Sequence, residues 1–124
     1  MTQKQATTLL GAGITAVTLT NFIPALVTHS GGHKLLFGLF IVSSFLITIH
    51  VITGALALAT GLLTPYSRWF LLLGGAAFSV VAVAGFIGGH TVLGLFPINT
   101  ADNLLHTMFS AAFFGAALML KRDA

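Results

Sequence analysis

The sequence contains no cysteine. That removes disulfides, thiolate metal sites, iron–sulfur clusters, c-type haem attachment and cysteine nucleophiles together. Carboxylates are almost missing too: Asp102 and Asp123 are the two acidic residues of 124. Proton-coupled carriers usually rest on intramembrane carboxylates, and hydrolytic chemistry on a nucleophile, a base and an orienting group together. Both classes are disfavoured, and the chain is read as a non-enzyme. Charged residues make up 6% of the chain, against roughly 25% in soluble domains. The five basic residues are scattered and form no stripe that would hold nucleic acid.

What fills the chain instead is apolar. Hydrophobic residues are 56% of the total and the mean hydropathy is +1.03. The few charges separate apolar stretches long enough to span a bilayer, at about 20 residues per helix. Those runs lack the alternating period of a membrane β-barrel. The expected fold is an all-α membrane protein, a single domain over residues 1–124 with four transmembrane helices at about 6–27, 43–63, 67–87 and 101–120. Thr64 is expected to cap the third helix, with Pro65 in its first turn. Asn99, Thr100 and Asp102 mark the start of the fourth, where an acid suits the positive end of the helix dipole.

The chain also repeats itself. Residues 31–50 (GGHKLLFGLFIVSSFLITIH) return as 88–106 (GGHTVLGLFPINTADNLLH) with a one-residue gap opposite Leu36. Gly31, Gly32 and His33 then fall on Gly88, Gly89 and His90, and His50 falls on His106. The bundle is therefore expected to be two tandem helical hairpins, about 6–63 and 67–120, related by a two-fold axis along the membrane normal. The linkers LLFGLFIV and VLGLFPIN are too apolar for ordinary loops, and both are expected to be irregular and to pack over the outer end of the bundle. Lys4, Arg68, Lys121 and Arg122 lie on one side and Lys34 on the other, which places both termini in the cytoplasm. The rival, a signal peptide over residues 1–28, lacks a small-x-small cleavage site. Helix contacts are expected at small residues: Ala12 and Ala16; Gly54, Ala57 and Gly61; Gly75, Ser79, Ala82 and Gly85; Ala111 and Gly115.

The repeat puts two imidazoles at one depth on two helices. In a membrane an ionisable residue is a functional candidate by default. Two neutral imidazoles could grip one b-type haem, or a single one the magnesium of a chlorophyll-type pigment, with Gly54 and Ser110 leaving room beside the rings. The preferred reading is structural: no cofactor, with His50 and His106 bonding to linker carbonyls, since an unpaired buried polar group costs about 1–3 kcal/mol. His29, His33 and His90 are candidates for a metal site, although Ser30-Gly31-Gly32 argues against a helix that would bring His29 and His33 onto one face. Asp102 and Asn103 near His106 are read as helix-start residues rather than a catalytic pair.

The segment LGLFPINTADNLLH, with FLITIHVITGALALATGLL and SRWFLLLGGAAFSVVAVAGFI, resembles the bacterial membrane family catalogued as domain of unknown function 4383. The likeness covers roughly residues 35–120, and Asn99-Thr100-Ala101-Asp102-Asn103 before His106 is its most specific part. The resemblance implies a multi-pass protein of the bacterial cytoplasmic membrane and carries no activity with it. Among lipids, with no reactive constellation, the expected role is that of an accessory subunit packing against other integral membrane proteins or against copies of itself.

Overall fold

Three of the four described α-helices begin where a side-chain oxygen takes an amide that has no partner within the helix. In the computed structural model, which describes residues 1–122, helix α1 (Gln3–Leu19) opens with a capping box. The Thr2 hydroxyl accepts from the Gln5 amide at 3.2 Å, and the Gln5 side chain accepts from the Thr2 amide at 3.0 Å. Helix α2 (Ser44–Leu63) starts on Ser43, whose hydroxyl accepts from Leu46 N at 3.2 Å. Helix α4 (Thr100–Met119) starts on Asn99, which exchanges bonds with Asp102 at 2.9 and 3.0 Å. Helix α3 (Ser67–Gly88) has no side-chain cap. Thr64 ends α2 rather than starting α3: its hydroxyl donates to Thr60 O and accepts from Tyr66 N. The expected Thr64 cap is thereby corrected.

The first helix is shorter than its apolar run. Instead of reaching Val27 it stops at Leu19 and gives way to two single 3-10 turns. Asn21 Nδ2 donates to the Thr18 carbonyl at 2.9 Å, taking up an end carbonyl, and Pro24 has no amide with which to continue the helix. The linkers are not irregular either. Strands β1 (Val27–Ser30), β2 (His33–Leu36) and β3 (Phe40–Val42) form an antiparallel sheet, and β4 (Thr91–Val92) pairs with β5 (Phe96–Pro97). Pairing gives backbone amides and carbonyls partners where no helix does.

The two hairpins match in detail. Leu36 opposes Phe40 as Val92 opposes Phe96. Phe37-Gly38 and Leu93-Gly94 turn between them, all four with positive φ. Continuing this register places Lys34 opposite His90, because Lys34 pairs with Val42 and the His90 carbonyl accepts from Ile98 N. The gap in the repeat thus lies upstream, near the Gly31-Gly32 turn, and His33 and His90 are not equivalent. His50 and His106 are: each lies seven residues beyond its cap, Ser43 or Asn99.

Helix α1 packs chiefly on α2, and α3 on α4. On α2 the small residues serve as expected. A Cβ on Gly54 or Gly61 would run into Thr15 or Thr8, and one on Gly11 would lie 2.8 Å from Leu58 N. The α1 side of this seam is therefore Thr8, Gly11 and Thr15, not Ala12 and Ala16, which are exposed. Between α3 and α4, Gly74 and Gly75 receive Phe113 and Phe114, Gly85 receives Asn103, and Ser79 bonds Ser110. Ala111 and Gly115 face away from the bundle's helix contacts: Ala111 is exposed and a Cβ on Gly115 would meet nothing within 4 Å. The shared core joins Ala6 and Ile14 to Leu71, Phe78, Phe113 and Ala117.

The first residues and the last described ones lie at one end of the bundle. Thr2 bridges Lys121, Gln3 N donates to Lys121 O at 2.9 Å, and the Gln3 and Arg68 side chains both donate to the Ala117 carbonyl. Those donors satisfy a carbonyl in the last turn of α4. Two of the four helices, α2 and α3, are long and apolar enough to cross a membrane.

Candidate functional site

At the opposite end the halves fasten each other. Asn99 Nδ2 donates to Leu39 O at 2.7 Å, and Asp102 Oδ2 accepts from Ile41 N at 3.2 Å as well as from Asn99 N. The start of α4 thus holds the first linker. The second linker returns the contact: Phe96 stacks on Phe45 at 5.5 Å, and Val92, Phe96 and Ile98 bury Leu46 at the start of α2. Asn103 packs into the space left by Gly85. Asn99, Asp102, Asn103 and Gly54 each make a hydrogen bond or a close packing contact, whereas a Cβ on Gly115 would meet nothing within 4 Å.

One turn below this clasp the repeat brings His50 and His106 together. Their ring centroids are 6.0 Å apart, edge to face. Phe78 stacks on His106, also at 6.0 Å. His106 is 1% exposed, and its Nδ1 is buried without a hydrogen-bond partner. The expected bonds to linker carbonyls are not made, among the described residues; Asn99 donates to one such carbonyl instead, and Asp102 accepts from a linker amide. An unpaired polar atom in such a place costs about 1–3 kcal/mol.

The two imidazoles border a crevice of about 350 Å³ between α2 and α3. Its walls are Leu46, Ile49 and Leu56 on one side and Phe70, Gly74, Ala77 and Phe78 on the other, with Phe96 at the outer end. Thr53 also borders it, but its hydroxyl already donates to Ile49 O at 2.8 Å. The donors left to the crevice's side chains are therefore imidazole N–H groups, with the Thr53 oxygen still able to accept. Gly54 and Ser110 do not make this room: Gly54 admits Thr15, while Ser110 donates to Gly75 O at 3.1 Å. The space is on the α3 side, bordered by Gly74 and Ala77. Phe78 and Phe96 were not singled out by the sequence, since Phe is frequent in this chain and nothing local distinguishes these two.

His29, His33 and His90 do not come together. His29 pairs with Lys34 and His33 with Ser30 across β1 and β2, so the two rings leave opposite faces of the ladder. His90 precedes the other hairpin. Among the described residues no group of three or more metal-ligating side chains assembles.

Comparison with known families places the chain firmly. A family model described as a domain of unknown function, DUF4383, matches residues 4–119, and the protein belongs to that family. No curated protein and no solved structure matches it.

Proposed function

We propose that the protein is a four-span integral protein of the bacterial cytoplasmic membrane with both termini cytoplasmic. In this reading it has no catalysis of its own and serves as an accessory subunit, packing against other membrane proteins or copies of itself. Four spans are supported by the outward faces of α1 and α4, which resemble those of α2 and α3. Leu9 and Val17, Ile52 and Leu56, Val80 and Val83, and Met108 and Leu118 are all exposed. A belt of this kind is solvated by lipid and sticky in water. Hydroxyls within the helices suit the same setting: Thr18, Thr48 and Thr53 each donate to the carbonyl four residues back.

The accessory role rests on one observation, a shallow groove between α1 and α4. Leu9, Ala112, Gly115 and Met119 line it, and Gly115 has open space where a side chain would stand. Small residues in a lipid-facing groove let a second helix approach closely. Native mass spectrometry of protein extracted in mild detergent tests this. The wild type is expected in a complex, and Gly115→Leu as a single chain with unchanged helical circular dichroism. A wild type that flies alone contradicts the role, as does a complex indifferent to Gly115→Leu.

The second reading, a b-type haem or chlorophyll-type pigment ligated by His50 and His106, draws on their 6.0 Å separation. Size weighs against it: at about 350 Å³ the crevice is near the lower end of small-molecule sites. A Soret band lost in both His50→Ala and His106→Ala establishes this reading, and a colourless folded protein removes it.

A further inference from the structure

We infer that the α2–α3 crevice is a binding site for an uncharged, oxygen-headed lipophile, with its head hydrogen-bonded to His50 and His106. The inference rests on the membrane reading above, because the ligand enters from lipid. Four observations point to that chemistry. The crevice is concave and within the size range of small-molecule sites. Its walls carry no charged side chain, so a phosphate, ammonium or carboxylate head has no counter-charge there. His106 borders it, almost wholly buried, with Nδ1 unpaired. Finally, Ile49, Leu56 and Leu73 border the crevice and are exposed, leaving a side opening on the apolar belt through which a chain can trail.

The head group follows from the donor inventory. A neutral imidazole carries one N–H donor and one acceptor nitrogen. Two such rings side by side suit a carbonyl, which accepts, or a hydroxyl, which both donates and accepts. Phe70, Phe78 and Phe96 give the walls aromatic surface, against which a flat ring packs well. The shared chemistry is a hydroxyl or carbonyl on a lipophilic body, supplied either by a quinone-type ring or by a long-chain alcohol.

Titration calorimetry of the full-length protein in dodecylmaltoside tests the site with two probes. Menadione stands for the ring and 1-decanol for the chain, with protein-free micelles as the blank. Saturable one-to-one binding of either is expected, and the tighter probe identifies the source. His106→Phe is expected to weaken that binding at least tenfold while raising the melting temperature of the ligand-free protein, because it removes a buried unpaired nitrogen. A purely structural His106 predicts the opposite shift in melting temperature. Ala77→Trp, placed at an exposed wall position, fills the crevice and is expected to abolish binding without loss of fold. No saturable binding of either probe overturns the inference, and so does binding that both variants leave unchanged. Failure of the membrane reading shows separately, as single cysteines replacing the exposed Ser30 and Leu95 that impermeant maleimide cannot reach from outside intact cells.

Discussion

Asn99 answers several needs with one side chain. Its Oδ1 caps α4 through Asp102 N, its Nδ2 donates to Leu39 O across the molecule, and its amide is held by Asp102 Oδ2. The Ser43 side chain, its counterpart in the first half, makes one hydrogen bond among the described residues, the cap to Leu46 N. Asn99→Ala is therefore expected to cost about 2 kcal/mol, near 1 for the cap and near 1 for the cross-link. Ser43→Ala is expected to cost about 1 kcal/mol. Denaturant unfolding in mixed micelles measures both, and equal losses contradict the cross-linking role. The capping role of Asn99 and Asp102 was legible in the sequence, because a cap and its N3 acid are three residues apart. Their partners Leu39 and Ile41 were not, since nothing local announces a bond across 60 residues of chain. The same holds for His106. The repeat paired it with His50, but its contact with Phe78 comes from how α3 lies against α4.

Helix α2 shows how a glycine's meaning depends on what faces it. Gly54 and Gly61 sit against Thr15 and Thr8 of α1, while Gly115 on α4 faces open space. Gly54→Ala is expected to destabilise by about 1–3 kcal/mol through overpacking. Gly115→Ala is expected to stabilise by about 0.5–1 kcal/mol from helix propensity alone. Thermal unfolding of the two variants in a detergent that leaves single chains separates these signs, and a destabilised Gly115→Ala there contradicts the open space beside Gly115. Small-residue spacing made the α2 seam readable and failed for α1, where Thr8, Gly11 and Thr15 do what Ala12 and Ala16 were expected to do. Spacing alone cannot choose among several small residues on one helix. The strands were missed for a related reason. LLFGLFIV and VLGLFPIN are uniformly apolar, so they lack the alternation that marks a strand exposed on one face. Their positive-φ turns at Phe37-Gly38 and Leu93-Gly94 became visible only with the backbone.

The molecule as a whole is two hairpins that exchange linkers. Each half's elbow rests on the helix start of the other: the first on Asn99 and Asp102, the second on Phe45 and Leu46. This reciprocity sets α2 and α4 at one height and so brings His50 and His106 together beside the crevice. At the other end Thr2, Gln3 and Arg68 tie the starts of α1 and α3 to the close of α4. The doubling itself was legible, because it survives as repeated motifs. The clasp was not, because identical halves can also stack without exchanging contacts. Since the chain has no native cysteine, the pairing can be tested on a clean background. Treating His50→Cys/His106→Cys in native membranes with a short bifunctional methanethiosulfonate is expected to join the two positions within one chain, read as an intact mass carrying one linker and no free thiol. Two thiols modified separately, or links formed only between chains, would contradict the account.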